Sequence, residues 1–260
     1  MPQMHLDTIP IWDAYKLESE CPLCTLEAQC EQQFLDIALG GALMEPDTRI
    51  ATNEKGFCAD HFRQLYAMQN RLGLALMTHT HLKDVMATTD QQAQALHKAL
   101  AAERKKNPAV RLAADVTKAT PFHKQLNAMA DYLDARGDTC FICDRIEHTM
   151  ARYLETIFYL YKKDESFRKA FAESKGVCLK HYPKLLRGAA RHLSGEMQLD
   201  FVENLLALQE KNLHRTEQDL EGFTLKFDYR NREKPWGTSK DAVERSLNKL
   251  QGRVMNPDEN

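Results

Sequence analysis

Apolar residues recur along most of the chain at steps of three and four, the period of one face of an α-helix. Leu26, Cys30, Phe34 and Ile37 form one such stripe, and Ile146, Met150, Leu154, Ile157 and Leu160 form another. Phe62, Leu65, Leu72 and Leu76 make a third. Leu185, Leu186, Ala189 and Leu193 make a fourth, with Pro183 in the first turn, where no amide donor is needed. A longer helix is predicted from Gly195 to Glu221, carried by Leu199, Val202, Leu205, Leu206 and Leu213 and closed by Gly222 as a C-terminal cap. No segment alternates with period two between hairpin turns, so the fold class is mainly α.

Laid on itself, the chain repeats. Lys55-Gly56-Phe57-Cys58-Ala59-Asp60-His61-Phe62 returns 120 positions later as Lys175-Gly176-Val177-Cys178-Leu179-Lys180-His181-Tyr182. Cys21-Pro22-Leu23-Cys24 returns as Cys140-Phe141-Ile142-Cys143 at an offset of 119. The reading is an internally duplicated helical bundle. Residues 1–87 form a first metal-binding repeat, 88–120 a polar helical connector broken near Lys105-Lys106-Asn107-Pro108, and 121–222 a second repeat. Residues 223–260 then form an extended aromatic segment ending in a short helix.

The repeated residues are metal ligands in type and spacing. Zinc favours four tetrahedral ligands drawn from thiolate and imidazole, and Cys-x-x-Cys puts two sulfurs on one tight turn. Cys-x-x-His supplies the other two. Each Cys-x-x-His follows a glycine and starts a helix, where free amides and the helix dipole favour a thiolate. Order along the chain predicts a first site of Cys21, Cys24, Cys58 and His61 and a second of Cys140, Cys143, Cys178 and His181, each ion clamping the two ends of one hairpin. Two loaded sites would take the formal charge from −2 to about −4, with Lys55 and Lys175 placed to offset it.

Other cysteine chemistries fit less well. A thiol redox pair is expected beside a βαβ pattern, which is missing, and c-type haem attachment needs histidine directly after the second cysteine, where Thr25 and Asp144 stand. Iron-sulfur clusters are the main alternative to two zinc ions, since three cysteines and a histidine can ligate one.

Charge and composition narrow the setting. With 35 basic and 37 acidic residues intermixed there is no phosphate-tracking surface, so a nucleic-acid partner is not expected. Residues 1–11 lack the basic start and apolar run of a signal peptide, and no stretch approaches 18 uncharged apolar residues, so a cytoplasmic protein without membrane spans is expected. Seven cysteines in that compartment stay reduced.

At Cys21 to Glu27, at both Gly-x-Cys-x-x-His segments and at Phe227-Asp228-Tyr229-Arg230 through Trp236-Gly237, the chain resembles an uncharacterised bacterial family recorded only as a domain of unknown function. The resemblance covers nearly the whole chain. It implies a bacterial cytoplasmic protein with these eight ligand positions, and it carries no activity.

Several other residues have a plain reading beside a functional one. Cys30 lies on an apolar stripe without a counterpart in the second half, which suits a core position. Glu27 and Glu147, one turn beyond the Cys-x-x-Cys pairs, are solvated surface carboxylates, or else hydrogen-bond partners of the ligands or a base beside an open metal position. His79 and His81, two apart on a helix, do not share a face. The segment Phe223 to Gly237 is read as an anchor packed across the bundle. The alternative is a ligand pocket lined by Asp228, Tyr229, Arg230 and Trp236. The functional expectation is a binding or scaffold protein for an unknown protein or small-molecule partner, the alternative being a metalloenzyme or redox protein with its site between the halves.

Overall fold

A computed structural model describes residues 2–107 and 120–253. Among these the chain is mainly helical, at 78%, with eleven α-helices and no strand. In chain order they are α1 (Pro2–Lys16), α2 (Pro22–Leu39), α3 (Pro46–Lys55), α4 (Ala59–Ala67), α5 (Arg71–Arg104) and α6 (Pro121–Gly137). There follow α7 (Phe141–Lys163), α8 (Glu165–Glu173), α9 (Tyr182–His192), α10 (Gly195–Leu225) and α11 (Ala242–Gln251), with a 3-10 turn at Tyr229–Asn231. None of the described helices is long and apolar enough to cross a membrane.

Local chemistry accounts for many of the boundaries. The Asn70 side chain caps α5 by accepting from Gly73 N at 3.0 Å, and Asp164 caps α8 by accepting from Ser166 N and Phe167 N. Thr120 caps α6 and is followed by Pro121 at the start of the helix. Pro183 likewise sits in the first turn of α9. Helix α5 ends at Arg104, before the predicted break, and runs unbroken across residues 87 and 88; residues 108–119 of the expected connector lie outside the described residues.

The chain divides into two compact units. The first comprises residues 1–30 and 146–260, the second 31–145, so both divisions fall inside helices, α2 and α7. The core of the first unit is aromatic. Tyr15 packs edge-on to Phe167, Tyr161 edge-on to Phe171 and Phe201, and Phe158 against Phe201 and His192. Phe158, Phe167, Phe171 and Phe201 are all essentially inaccessible to solvent, each contributing about 2–3 kcal/mol from burial. Cys30 belongs to this core, at 1% exposure.

The second unit has a thinner core. Leu35, Ala38, Leu39, Phe57, Leu65 and Met77 are buried, and Phe57 meets Phe62 and Phe141 edge-on. Of the 34 residues of α5 only Gly73 and Met77 are buried, and α6 buries none. Leu72 and Leu76, expected on the buried stripe, are 72% and 41% exposed because the inward face of α5 is turned about one residue away, through Gly73 and Met77. Gly73 serves that face because a Cβ there would lie 2.8 Å from Leu43.

Helix α10 departs from expectation in two ways. Its inward face changes from apolar (Phe201, Leu205, Leu208) to polar (Gln209, Asn212, Thr216, Asp219), and Leu199 and Leu206 are exposed. It also runs past Gly222 to Leu225. Gly222 is no cap; it makes room for Ser239, whose Oγ would lie 2.3 Å from a Cβ at that position.

The segment after α10 docks mainly through charge. Phe227 and Tyr229 are 77% and 85% exposed, and the aromatic packing is confined to Phe223, which meets Phe227 and Trp236, with Lys226 over the Trp236 ring. The firm attachment is α11, whose Arg245 donates to Asp219 at 2.8 Å while Thr238 donates to the other oxygen at 2.5 Å. Asp228 and Arg230 pair with each other at the surface rather than lining a pocket.

Candidate metal centres

The eight cysteine and histidine ligands predicted from sequence fall into two groups, and the grouping is not the one that chain order suggests. Cys21 and Cys24 meet Cys178 and His181; Cys58 and His61 meet Cys140 and Cys143. In each group the ligand atoms lie within 4.8 Å of one another and could hold a metal ion. The expected pairings of Cys21/Cys24 with Cys58/His61, and of Cys140/Cys143 with Cys178/His181, are therefore corrected. Each Cys-x-x-Cys closes with the Cys-x-x-His from the other part of the sequence.

Site 1 lies in the first unit. Cys21 and Cys24 form the turn that opens α2, with Cys24 N donating to Cys21 O at 3.0 Å. Cys178 and His181 form the turn that opens α9, with His181 N donating to Cys178 O at 3.0 Å. Nδ1 of His181 is 3.5, 3.4 and 3.3 Å from the sulfurs of Cys21, Cys24 and Cys178. The sulfurs of Cys24 and Cys178 are 3.5 Å apart. His181 and Cys178 are fully buried.

Site 2 lies in the second unit. Cys58 is the residue preceding α4, and Cys140 precedes α7, whose first turn carries Cys143. Nδ1 of His61 is 3.2 Å from Cys58, 3.2 Å from Cys140 and 3.4 Å from Cys143, and the sulfurs of Cys58 and Cys143 are 3.9 Å apart. Here Cys143 is exposed and Cys58 partly so.

Both turns preceding the Cys-x-x-His need glycine. Gly56 and Gly176 have φ of +63° and +72°, a region costly for residues with a Cβ. They also admit a close neighbour: a Cβ would lie 2.5 Å from the His81 ring at Gly56 and 2.8 Å from Gln209 Oε1 at Gly176. His81 is thereby a packing residue, its Nδ1 2.7 Å from Asn53 O, and His79 faces solvent, so neither joins a site.

What joins the two turns of each site differs between them. In site 2, Phe141 N donates to Gly56 O at 2.9 Å, and Thr139 Oγ1 donates to Lys55 O at 2.7 Å. In site 1 the ammonium of Lys249, from α11, donates to Glu20 O at 3.0 Å and to Lys175 O, bridging the residue before Cys21 to the loop before Cys178. Leu179 N completes the attachment by donating to Lys249 O at 2.9 Å. Gln209 clamps the same loop, accepting from Val177 N at 3.1 Å and donating to Val177 O at 2.7 Å. Lys249 is 1% exposed, and burial pulls its pKa down, opposed by Glu20.

A carboxylate stands near the outer nitrogen of each histidine. Glu31 Oε1 is 3.2 Å from His61 Nε2 and receives a hydrogen bond from Gln64 at 3.0 Å. Glu27 Oε2 is 3.6 Å from His181 Nε2 and also pairs with Lys180 at 2.9 Å. At 3.2 Å the Glu31 carboxylate orients the His61 ring with Nδ1 turned inward, whereas the 3.6 Å from Glu27 to His181 is beyond hydrogen-bond reach. Glu27 is therefore a partner of Lys180 beside the site rather than a hydrogen-bond partner of His181. Glu147 is exposed, and its expected place is taken by Glu31, also on α2 and one turn beyond Glu27. Gln209, Lys249 and Glu31 carry no motif; only the four-residue step from Glu27 to Glu31 on one helix hinted at the last.

Charge compensation also differs from the sequence expectation. Lys55 pairs with Asp144 at 2.6 Å and Lys175 with Glu18 at 2.9 Å, whereas Lys180 stands beside the site 1 sulfurs. In site 1, hydrogen bonds from Cys21 and Cys24 pull the Cys178 thiol far below its usual range, while burial pushes Cys21 up to about 12. In site 2, burial opposes a Cys140 thiolate, but the hydrogen bond with His61 lowers that thiol to about 6. Burial also opposes charge on His61, yet hydrogen bonds with Cys140 and Glu31 raise it to about 10. Each group is thus a set of shared protons that a divalent cation can displace.

A family model described as a family of unknown function (DUF6062) matches residues 2–257. No curated protein and no solved structure matches the chain.

Proposed function

We propose that this chain, which belongs to that family of unknown function, is a two-zinc protein whose ions join helix starts far apart in sequence, making a rigid scaffold for a protein or small-molecule partner. The observation that carries the reading is the spacing of the ligand atoms. Zinc bonds of about 2.3 Å to sulfur and 2.0–2.1 Å to nitrogen set tetrahedral edges of about 3.5 Å (sulfur to nitrogen) and about 3.8 Å (sulfur to sulfur). The sites have sulfur-to-nitrogen edges of 3.2–3.5 Å, the Cys24–Cys178 and Cys58–Cys143 edges are 3.5 and 3.9 Å, and all ligand atoms of each site lie within 4.8 Å of one another. A polynuclear iron-sulfur cluster spreads its ligands over several irons and suits this spacing poorly.

Four protein ligands per ion favour structure over catalysis, since catalytic zinc normally keeps one position for water. The thin core of the second unit supports the same reading, because a structural zinc supplies on the order of 10–16 kcal/mol of apparent binding free energy. The reduced thiols suit a cytoplasmic setting. Elemental analysis of protein purified without oxygen tests the proposal: two zinc ions per chain are expected, and stoichiometric iron or no metal overturns it.

A further inference from the structure

The two sites share a ligand set but not an environment. In site 1, Cys21 and Cys178 are 4% and 0% exposed. Its remaining thiol, Cys24, lies beneath the end of α11, where a Cβ on Gly252 would be 3.7 Å from the Cys24 sulfur and 3.8 Å from Cys178. Lys180, inside the Cys-x-x-His turn, adds a positive charge beside both sulfurs.

Site 2 is built the opposite way. Cys143 is exposed, Cys58 is half-buried, and the position matching Lys180 is Asp60, which pairs outward with Arg63 at 2.7 Å. Lys55 is already paired with Asp144. A site with three thiolates and one divalent ion carries one net negative charge, and here one of the three thiolates belongs to an exposed residue, Cys143. Reactivity toward electrophiles follows thiolate character and access.

We infer that site 2 is an oxidant-responsive metal centre in which hydrogen peroxide converts Cys143 and Cys58 into a disulfide and expels the ion, while site 1 stays closed; this rests on the two-zinc reading. The Cys143 thiolate attacks the peroxide O–O bond, giving a sulfenic acid and hydroxide. The Cys58 thiolate, 3.9 Å away, then attacks that sulfur, forming the S–S bond and releasing a second hydroxide. Two electrons pass from the two sulfurs to one peroxide. Cys140 and His61 remain, too few to hold zinc against water. Loss of the ion removes the clamp between the starts of α4 and α7 in the unit with the smaller core.

The test uses the intact zinc-loaded chain. Its metal content is measured first. Hydrogen peroxide is then added at one equivalent beside a zinc-sensitive dye, with peptide mapping of the thiols; in parallel, N-ethylmaleimide labelling rates are measured without oxidant. One zinc ion per chain is expected to leave in a fast phase, with Cys143 joined to Cys58 and Cys21, Cys24 and Cys178 still reduced. Cys143 should label at least about tenfold faster than any site 1 cysteine. Equal release of both ions, first oxidation of a site 1 thiol, or uniform labelling in protein holding two zinc ions overturns this inference alone. Protein that holds no zinc at the outset overturns the two-zinc reading with it.

Discussion

Glu31 Oε1 lies 3.2 Å from Nε2 of His61, while Nδ1 of the same ring faces the sulfurs of Cys58, Cys140 and Cys143. The carboxylate therefore selects which nitrogen is left to bind a metal. Partners of this kind typically change affinity by about 10–100-fold. Glu31→Gln should weaken zinc at site 2 by that factor and leave site 1 unchanged, as read by competition with a chelating dye. A loss shared equally by the two sites would show that Glu31 acts on the whole fold instead.

The crossed pairing has a direct chemical signature. Cys21→Ser should leave one zinc ion per chain and make Cys24 and Cys178 reactive toward alkylating agents, with Cys58 still protected. Pairing by chain order would instead expose Cys58. Mass-spectrometric mapping of the labelled cysteines separates the two outcomes.

Gln209 supports site 1 from outside the ligand set. Its amide satisfies both backbone groups of Val177, one residue before Cys178. Gln209→Ala strands a buried donor and acceptor, each worth about 1–3 kcal/mol when unpaired. Thermal or denaturant unfolding should show a loss of at least about 2 kcal/mol, together with faster zinc exchange at site 1. Unchanged stability would mean that the loop is held by Lys249 alone.

Asp219 ties α10 to the final helix and carries a pH dependence of its own. Burial opposes its charge, but hydrogen bonds from Thr238 and Arg245 outweigh that and hold the carboxyl below the usual carboxylate range. A depressed folded pKa contributes stability that is fully present above the unfolded value and is lost as pH falls through the folded one. Attachment of α11 should therefore weaken in acid, below about pH 4. Asp219→Asn should cost about 1.5–3 kcal/mol at neutral pH. Hydrogen exchange of Ala242–Gln251, followed as wild type minus variant across pH, isolates this group from the thiols; a difference constant with pH would contradict the assignment.

Removing both ions with a chelator should affect the two units unequally. The first unit keeps an aromatic core around Phe167, Phe171 and Phe201, whereas α6 buries no residue of its own. Amide protection should fall most in residues 31–145, and equal loss in both units would argue against metal substituting for core there.

Much of this protein was written in the sequence. Helical content, the eight cysteine and histidine positions that could hold metal, the glycines before each Cys-x-x-His and the core position of Cys30 follow from local rules: the 3.6-residue period, ligand spacing, and a backbone conformation that favours glycine. Which apolar residues face inward was less legible, as Leu72, Leu76 and Leu206 show, because a stripe read by period can be turned by a residue when a glycine or a polar side chain packs better. The polar inward face of α10 could not be distinguished from a solvated one until Val177 and α11 were seen against it.

The partnering of the ligand pairs belongs to tertiary structure alone. Cys24 and Cys58 are 34 positions apart, whereas Cys24 and Cys178 are separated by 154. Closing the longer loop costs only about 1 kcal/mol more, since closure entropy grows with the logarithm of length. Two or three buried aromatic side chains outweigh that difference. The sequence therefore determined which residues could hold a metal, through chemistry each residue carries with it. The packing around Phe167 and Phe201, the bridge from Lys249 and the bond from Phe141 N to Gly56 O decided which pair meets which, because those contacts join residues whose proximity no local pattern encodes.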